Sequence, residues 1–84
     1  MQVIRPAGPL DDPHLYGTIT ISPYEAFFGS HKLVNIPWGF HRQLYTVKVP
    51  AGIEEGKILR LKGMGKQIDH GEKGDLLLKV VIQS

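Results

Sequence analysis

The side chains of this chain that could do chemistry are few and scattered. Histidines stand at positions 14, 31, 41 and 70, with no HxH or HxxxH spacing between them, and cysteine is absent. Zinc sites are built from histidine, cysteine and carboxylate ligands at short, regular spacings. A metal site would therefore need four separate segments to converge by chance. We predict no metal and no cofactor.

Two short strings resemble parts of active sites. Asp69 and His70, with Glu72 close by, could form an acid–base pair, but no nucleophile lies near them and loop neighbours need not face each other. Gly63-Met64-Gly65-Lys66 resembles a phosphate loop, but Gln67 follows where such a loop has Ser or Thr, and no helix begins there. We predict no catalytic residue and no enzymatic activity.

An aromatic and basic cluster at Trp38, Phe40 and Arg42 has two interpretations. Aromatic and guanidinium groups stack on nucleic-acid bases or on aromatic side chains of a bound polypeptide. More often, such residues cover the open end of a small β core.

Composition limits the classes of function. A chain of 84 residues is one small domain, and its net charge of +2 is spread along the chain without a basic block. A solvated surface of mixed charge fits this pattern better than a nucleic-acid footprint. No run of about 18 apolar residues could span a membrane. The start of the chain also lacks the apolar segment of a secretory signal, so we predict a cytoplasmic protein.

Proline and glycine divide the chain. Residues 1–13 contain three prolines and no periodicity, which predicts an extended lead-in or linker before a domain at 14–84. From Leu15 to Ile21 apolar and polar residues alternate, as in a strand with one apolar face. Ser22, Pro23 and Glu25 have the types and spacing of a helix start with a capping box. Gly29 is expected to end that helix in a left-handed conformation, so the helix covers 23–28.

The rest of the chain is typical of strands joined by turns. Alternation predicts a strand at 31–36 and a hairpin partner at 43–49, followed by strands at 58–62 and 76–82. A polar loop at 63–73 separates the last two. We predict a mainly β fold, a small antiparallel two-sheet sandwich or a partly rolled barrel, with one short helix that docks Ala26, Phe27 or Phe28 on a sheet.

Two apolar strand faces could form either a core or a groove. Ile19 with Ile21, and Val34 with Ile36, flank the short helix in sequence, so their strands are expected to lie close together. A shared face left uncovered would suit an extended peptide, which pairs with a strand edge and places side chains in pockets. Periodicity alone favours the alternative, that these residues are core.

The span from about Leu15 to Gln83 resembles one copy of the C-terminal domain of the DnaJ family of co-chaperones. The resemblance rests on the order and spacing of several short segments, which are Ile19-Thr20-Ile21-Ser22, Glu25-Ala26-Phe27-Phe28-Gly29, Val34-Asn35-Ile36-Pro37, Val47-Lys48-Val49-Pro50-Ala51-Gly52, Leu59-Arg60-Leu61-Lys62-Gly63-Met64-Gly65 and Gly74-Asp75-Leu76. Each segment is weakly specific alone.

This resemblance implies a module that holds unfolded polypeptides for delivery to the chaperone DnaK. In the first domain of the family's tandem, clients dock in a depression between the first two strands. By position, the substrate-binding residues implied here are Gly17, Ile19, Lys32, Val34, Ile36 and Val80. Gly17 stands where the family usually has a larger apolar residue.

The departures from the family pattern also matter. The chain has no His-Pro-Asp triplet of a J-domain and no CxxC repeats of a zinc-binding insert. The resemblance thus implies one module of a longer protein, which would reach DnaK through parts outside this sequence. Two alternatives stay open, a DNA-associated module and a structural spacer or dimer-supporting second copy of the tandem.

Overall fold

A computed structural model describes residues 1–9, 11–38, 41–67, 71 and 73–84; at Trp38, His41 and Arg42 it describes the backbone only. It contains six strands and one helix within those residues. In chain order these are β1 (Gln2–Val3), β2 (Leu15–Ile21), α1 (Pro23–Phe28), β3 (Ser30–Trp38), β4 (His41–Val49), β5 (Ile58–Leu61) and β6 (Leu76–Ile82).

The strands form two three-stranded sheets, which confirms a mainly β, two-sheet fold with one short helix. Sheet A has the order β1-β3-β4 and sheet B the order β2-β6-β5. Pairing is antiparallel in the β3–β4 hairpin and between β5 and β6. In contrast, β2 with β6 and β1 with β3 are parallel. Parallel partners need a long crossover connection. The connection between β2 and β6 is long enough to contain the whole β3–β4 hairpin.

The two sheets enclose one apolar core. Alternate residues of each strand point inward, so the side-chain period of two found in the sequence becomes burial on one face. The buried apolar residues are Ile4, Leu15, Ile19, Ile21, Ala26, Val34, Ile36, Val47, Val49, Leu61, Leu76, Leu78 and Val80. All but Ile4 lie at 14–84.

Helix α1 begins and ends where the sequence predicts. The Ser22 hydroxyl accepts the Glu25 backbone N–H at 3.1 Å, and the Glu25 carboxylate accepts the Ser22 backbone N–H at 2.9 Å. At the other end Gly29 has φ 80° and ψ 165°. Its φ is positive, as expected, but its ψ is not that of the left-handed helical region. Only Ala26 of the helix is buried.

A buried carboxylate ties the loop after β5 to the start of β6. Asp75 accepts the Gly63 backbone N–H at 2.9 Å and pairs with the Arg60 guanidinium. The Asp75 backbone N–H donates to His14 Nδ1 at 2.9 Å. These bonds to Gly63 and Arg60 hold the pKa of Asp75 below its usual value. Asp75, Arg60 and His14 therefore have a structural role at this turn.

Candidate functional site

The edge of β3 and the edge of β2 face each other across a gap between the two sheets. We call this gap the β2–β3 cleft. It is where the family resemblance implies that clients dock. Residues 2–7 of the chain itself, here called the N-terminal segment, occupy it. The sequence predicts an extended lead-in or linker at residues 1–13, and within that stretch the structure places Gln2–Val3 in sheet A as β1.

The N-terminal segment is hydrogen-bonded to both walls of the cleft. On the β3 side, it runs parallel to that strand, and the Ile4 backbone N–H donates to the Asn35 carbonyl at 2.8 Å. On the β2 side, Ala7 and Tyr16 exchange two backbone hydrogen bonds of 3.0 and 2.8 Å. Each wall therefore contributes backbone groups of the kind that bind an added strand.

A side-chain amide extends this pairing. The Gln2 amide donates to the Thr20 carbonyl and accepts the Thr20 backbone N–H, both at 2.8 Å. A primary amide carries two N–H donors and a carbonyl acceptor, so one donor and the acceptor can bond the C=O and the N–H of a single strand residue. Gln2 thus satisfies the exposed edge of β2 as another strand would.

One apolar side chain of the N-terminal segment fills a pocket in the cleft. Ile4 is 1% exposed and lies against Gly17 of β2. A Cβ added at Gly17 would stand 2.9 Å from Ile4 Cγ2 and 3.1 Å from Leu78 Cδ2, which is too close for ordinary packing. The missing side chain at Gly17 therefore makes the space that Ile4 occupies.

The structure places most of the implied substrate-binding residues in the core. Ile19, Val34 and Val80 have no exposed surface, and Ile36 is 4% exposed. All four belong to the core cluster between the two sheets, and Ile19, Val34 and Val80 line no open trough. Their contact with a client stays a prediction.

Two of the implied residues border open space. Gly17 borders a shallow apolar depression of about 490 Å³ on the outer face of sheet B. Ile36 borders a second cavity of about 370 Å³, next to Pro6 at the end of the N-terminal segment. The family pattern therefore points to the region of the cleft, but of the four implied aliphatic side chains only Ile36 lines either of these cavities.

Lys32, the charged member of the implied set, binds the helix. Its Nζ lies 2.8 Å from a carboxylate oxygen of Glu25. The hydrogen bond from Lys32 and that from the Ser22 backbone hold the pKa of Glu25 below its usual value of 4.5. Lys32 thus fixes β3 against the start of α1.

An exposed aromatic cluster on α1 was not expected. Tyr24, Phe27 and Phe28 are 71%, 70% and 60% exposed. The ring centroids of Tyr24 and Phe28 lie 4.6 Å apart, and those of Phe27 and Phe28 lie 4.8 Å apart. This exposure could have been predicted from the sequence. A helix of under two turns that packs Ala26 against the sheet must point its other side chains away from the sheet.

The chemical groups singled out in the sequence do not come together within the described part of the chain. There, no three histidine or carboxylate side chains gather as a metal site would require. No helix of the described residues is long and apolar enough to cross a membrane. Asp69, His70 and Glu72 lie outside the described residues, as do Phe40 and the side chains of Trp38 and Arg42.

Comparison with known proteins agrees with this architecture. The family model described as the DnaJ C terminal domain matches residues 9–84. The chain belongs to the DnaJ C-terminal domain family. The family resemblance found in the sequence is thereby confirmed, and the N-terminal segment in the cleft precedes the matched region.

Three bacterial proteins named chaperone protein DnaJ are similar to this DnaJ C-terminal domain. That of Treponema denticola is 35% identical over 82% of the chain and 17% of its own length. For Protochlamydia amoebophila the identity is 32% over 92% of the chain and 24% of the relative. For Fusobacterium nucleatum the identity is 35% over 88% of the chain and 18% of the relative. The chain spans about a fifth of the length of these relatives.

Proposed function

We propose that this domain is a non-enzymatic, peptide-binding module of a DnaJ-like co-chaperone in the cytoplasm. It holds exposed apolar segments of non-native polypeptides, which the parent protein delivers to a DnaK-type chaperone. The parts that engage DnaK lie outside this sequence. Membership of the DnaJ C-terminal domain family supports the class of client.

The observation that carries this proposal is the strand lying between β2 and β3. An extended segment bonds both strand edges there and inserts one aliphatic side chain beside Gly17. Backbone hydrogen bonds supply affinity without reading sequence, which suits a binder of many clients. The pocket beside Gly17 selects for an apolar residue.

A single module of this kind binds weakly. Burial of a few hundred Å² of apolar surface contributes roughly 25 cal/mol per Å², and ordering the client offsets much of that gain. We expect dissociation constants in the micromolar range or weaker, which correspond to a binding free energy of about −8 kcal/mol or less favourable. Linked copies of the module would raise the affinity through effective concentration.

The experiment is a titration of the ¹⁵N-labelled chain with reduced, carboxymethylated lactalbumin, a permanently unfolded protein. We expect binding that changes backbone amide shifts at Thr18, Thr20 and Asn35 and that depends little on salt. Affinity that falls steeply with salt, in a chain that also binds duplex DNA, would instead support the DNA-associated alternative.

The second candidate function is that of a structural spacer. One observation favours it, since the cleft is filled and Ile19, Val34 and Val80 are fully buried. A spacer needs no open apolar groove. A folded chain that binds no unfolded protein at any concentration tested would support the spacer and contradict the peptide-binding proposal.

A further inference from the structure

The N-terminal segment has the features of a bound client, although it is part of the same chain. It is extended and parallel to β3, it pairs with β2 through Ala7, and it buries Ile4 beside Gly17. We infer that this segment is an intramolecular competitor, which an extended apolar segment of another polypeptide must displace to enter the β2–β3 cleft. This inference rests on the proposed function.

The strand pairing of the segment is short compared with that of the sheets around it. β1 has two residues in register with β3, whereas β3 and β4 have nine register pairs. Short strands with few hydrogen bonds open more readily than the core strands they join. Ile4 and Pro6 are buried, whereas Arg5, which lies between them, and Ala7, which follows them, are exposed. The segment can therefore leave while the two sheets remain paired.

The fit of the segment is also incomplete. Asn35 Oδ1 is buried and has no hydrogen-bond partner among the described residues. Its register neighbour is Val3, which offers no donor from its side chain. A buried acceptor without a partner disfavours the bound state. A client with a donor side chain at the register of Val3 would bind this wall better than the chain's own segment does.

The contacts define the class of client segment that can compete. Gln2 bonds the backbone of Thr20, Ile4 fills the pocket beside Gly17, and Pro6 is buried two residues later. Alternate residues of an extended chain point to the same side. The geometry thus favours extended segments with an amide side chain at the first position and a hydrogen-bond donor at the second. An aliphatic residue is favoured at the third position, any residue fits the fourth, and proline or another apolar residue is favoured at the fifth.

A disulfide that holds the segment in the cleft tests the inference. Because the natural chain contains no cysteine, two introduced cysteines can form only one intramolecular disulfide. Val3 and Asn35 are register partners on β1 and β3. Neighbouring strands lie about 4.8 Å apart, and a disulfide spans Cα distances of about 4.4–6.8 Å. The variant with both Val3→Cys and Asn35→Cys, here called the lock variant, should hold the segment in place when oxidised and release it when reduced.

The probe is a fluorescein-labelled peptide with the sequence of residues 1–8, and the readout is fluorescence anisotropy. We expect oxidation of the lock variant to weaken binding of this peptide at least about tenfold, because only the fraction of molecules with an empty cleft binds. The same loss is expected for reduced, carboxymethylated lactalbumin. A peptide carrying Ile4→Asp should bind neither form.

The matched control is the variant with His31→Cys and Lys48→Cys. These residues are exposed register partners on β3 and β4, so their disulfide joins two strands that are already paired and leaves the cleft unlocked. Oxidation of this control should leave peptide affinity unchanged. Thermal unfolding followed by circular dichroism shows that each form is folded.

A third variant measures release without a disulfide. Ile4→Ser removes the apolar anchor, so the cleft should be empty more often and the Ile-containing peptide should bind at least about threefold more tightly than it binds the natural chain. Equal affinity of the oxidised and reduced forms of the lock variant for lactalbumin would overturn the inference and leave the proposed function standing. If no form binds lactalbumin or the peptide, the proposed function falls as well.

Discussion

Ile4 packs against the backbone of Gly17, so that a Cβ on Gly17 would lie 2.9 Å from Ile4 Cγ2. Ile4 directly follows β1 of one sheet, and Gly17 lies in β2 of the other. The pocket and the side chain that fills it are therefore coupled across the sandwich. Changing either one alters the occupancy of the β2–β3 cleft.

We predict that Gly17→Ala destabilises the chain by about 1–3 kcal/mol, since the added methyl overpacks the pocket. Ile4→Ala alone should cost about 2–5 kcal/mol, because it leaves a cavity. The double variant should lose less than the sum, by about 1 kcal/mol. Urea denaturation of the four proteins measures this. Strict additivity would show that the two sites do not share the pocket.

Buried and exposed apolar residues predict effects on stability that differ in size. Ile19→Ala should lower the free energy of unfolding by about 2–5 kcal/mol, because Ile19 has no exposed surface. Phe27→Ala should change it by less than about 0.5 kcal/mol, because that ring is 70% exposed. Denaturant titration checks both values.

The same Phe27→Ala variant separates two binding surfaces. Binding of unfolded lactalbumin should be preserved, because the ring lies on α1 and outside the β2–β3 cleft. Loss of that binding in a folded variant would place client contacts on the aromatic cluster of α1 instead.

The ion pair between Lys32 and Glu25 predicts a change in acid stability. The pKa of Glu25 is lower in the folded chain than its usual 4.5. Its contribution to stability is therefore present above that value and is lost as the pH falls through the lower, folded pKa. Lys32→Met removes the main cause of the shift, so acid unfolding should begin at a higher pH. The loss at neutral pH should be at most about 1 kcal/mol.

The control for this change is Lys62→Met, which removes the same charge from an exposed position after β5. Circular dichroism between pH 7 and pH 2 gives the midpoint of acid unfolding for both variants. Equal midpoints would mean that net charge, and not the pair with Glu25, determines acid stability.

Asp75 predicts a second effect of pH on stability. Its pKa lies below the usual 3.8 because Gly63 N–H and Arg60 bind the ionised form. Stability from this group is therefore complete above pH 3.8 and declines as the pH falls through the folded pKa. Asp75→Asn should lower the unfolding temperature at pH 7 more than Arg60→Met does, since only the first change also weakens the bond to Gly63. Differential scanning fluorimetry of the two variants tests this order.

Much of the fold could be predicted from local pattern. The alternation in Leu15–Ile21 gave the buried face of β2, and Ser22 with Glu25 marked the start of α1. These signals are local, because strand burial has a period of two and a cap needs residues three apart. The strand at Leu76–Ile82 was also predictable, but its parallel pairing with β2 was not, since pairing joins residues more than 60 positions apart.

The candidate site could be located but not described from sequence. The family pattern points to the space between β2 and β3, and Gly17 stands there in place of the larger apolar residue usual in the family. Nothing local to residues 1–7 indicated that they would enter that space, because prolines and a lack of periodicity are typical of a linker. The fit of Ile4 beside Gly17 exists only when the two sheets are assembled.

The sequence by itself determined which residues are apolar, where the turns fall and to which family the chain belongs. Tertiary structure alone decided that the cleft is filled and that Ile19, Val34 and Val80 lie out of reach of solvent. The physical reason is that burial depends on what covers a face. Ile19, Val34 and Val80 are covered by the core that the two sheets form together, and the cleft is filled by a short segment held by hydrogen bonds to one strand edge of each sheet.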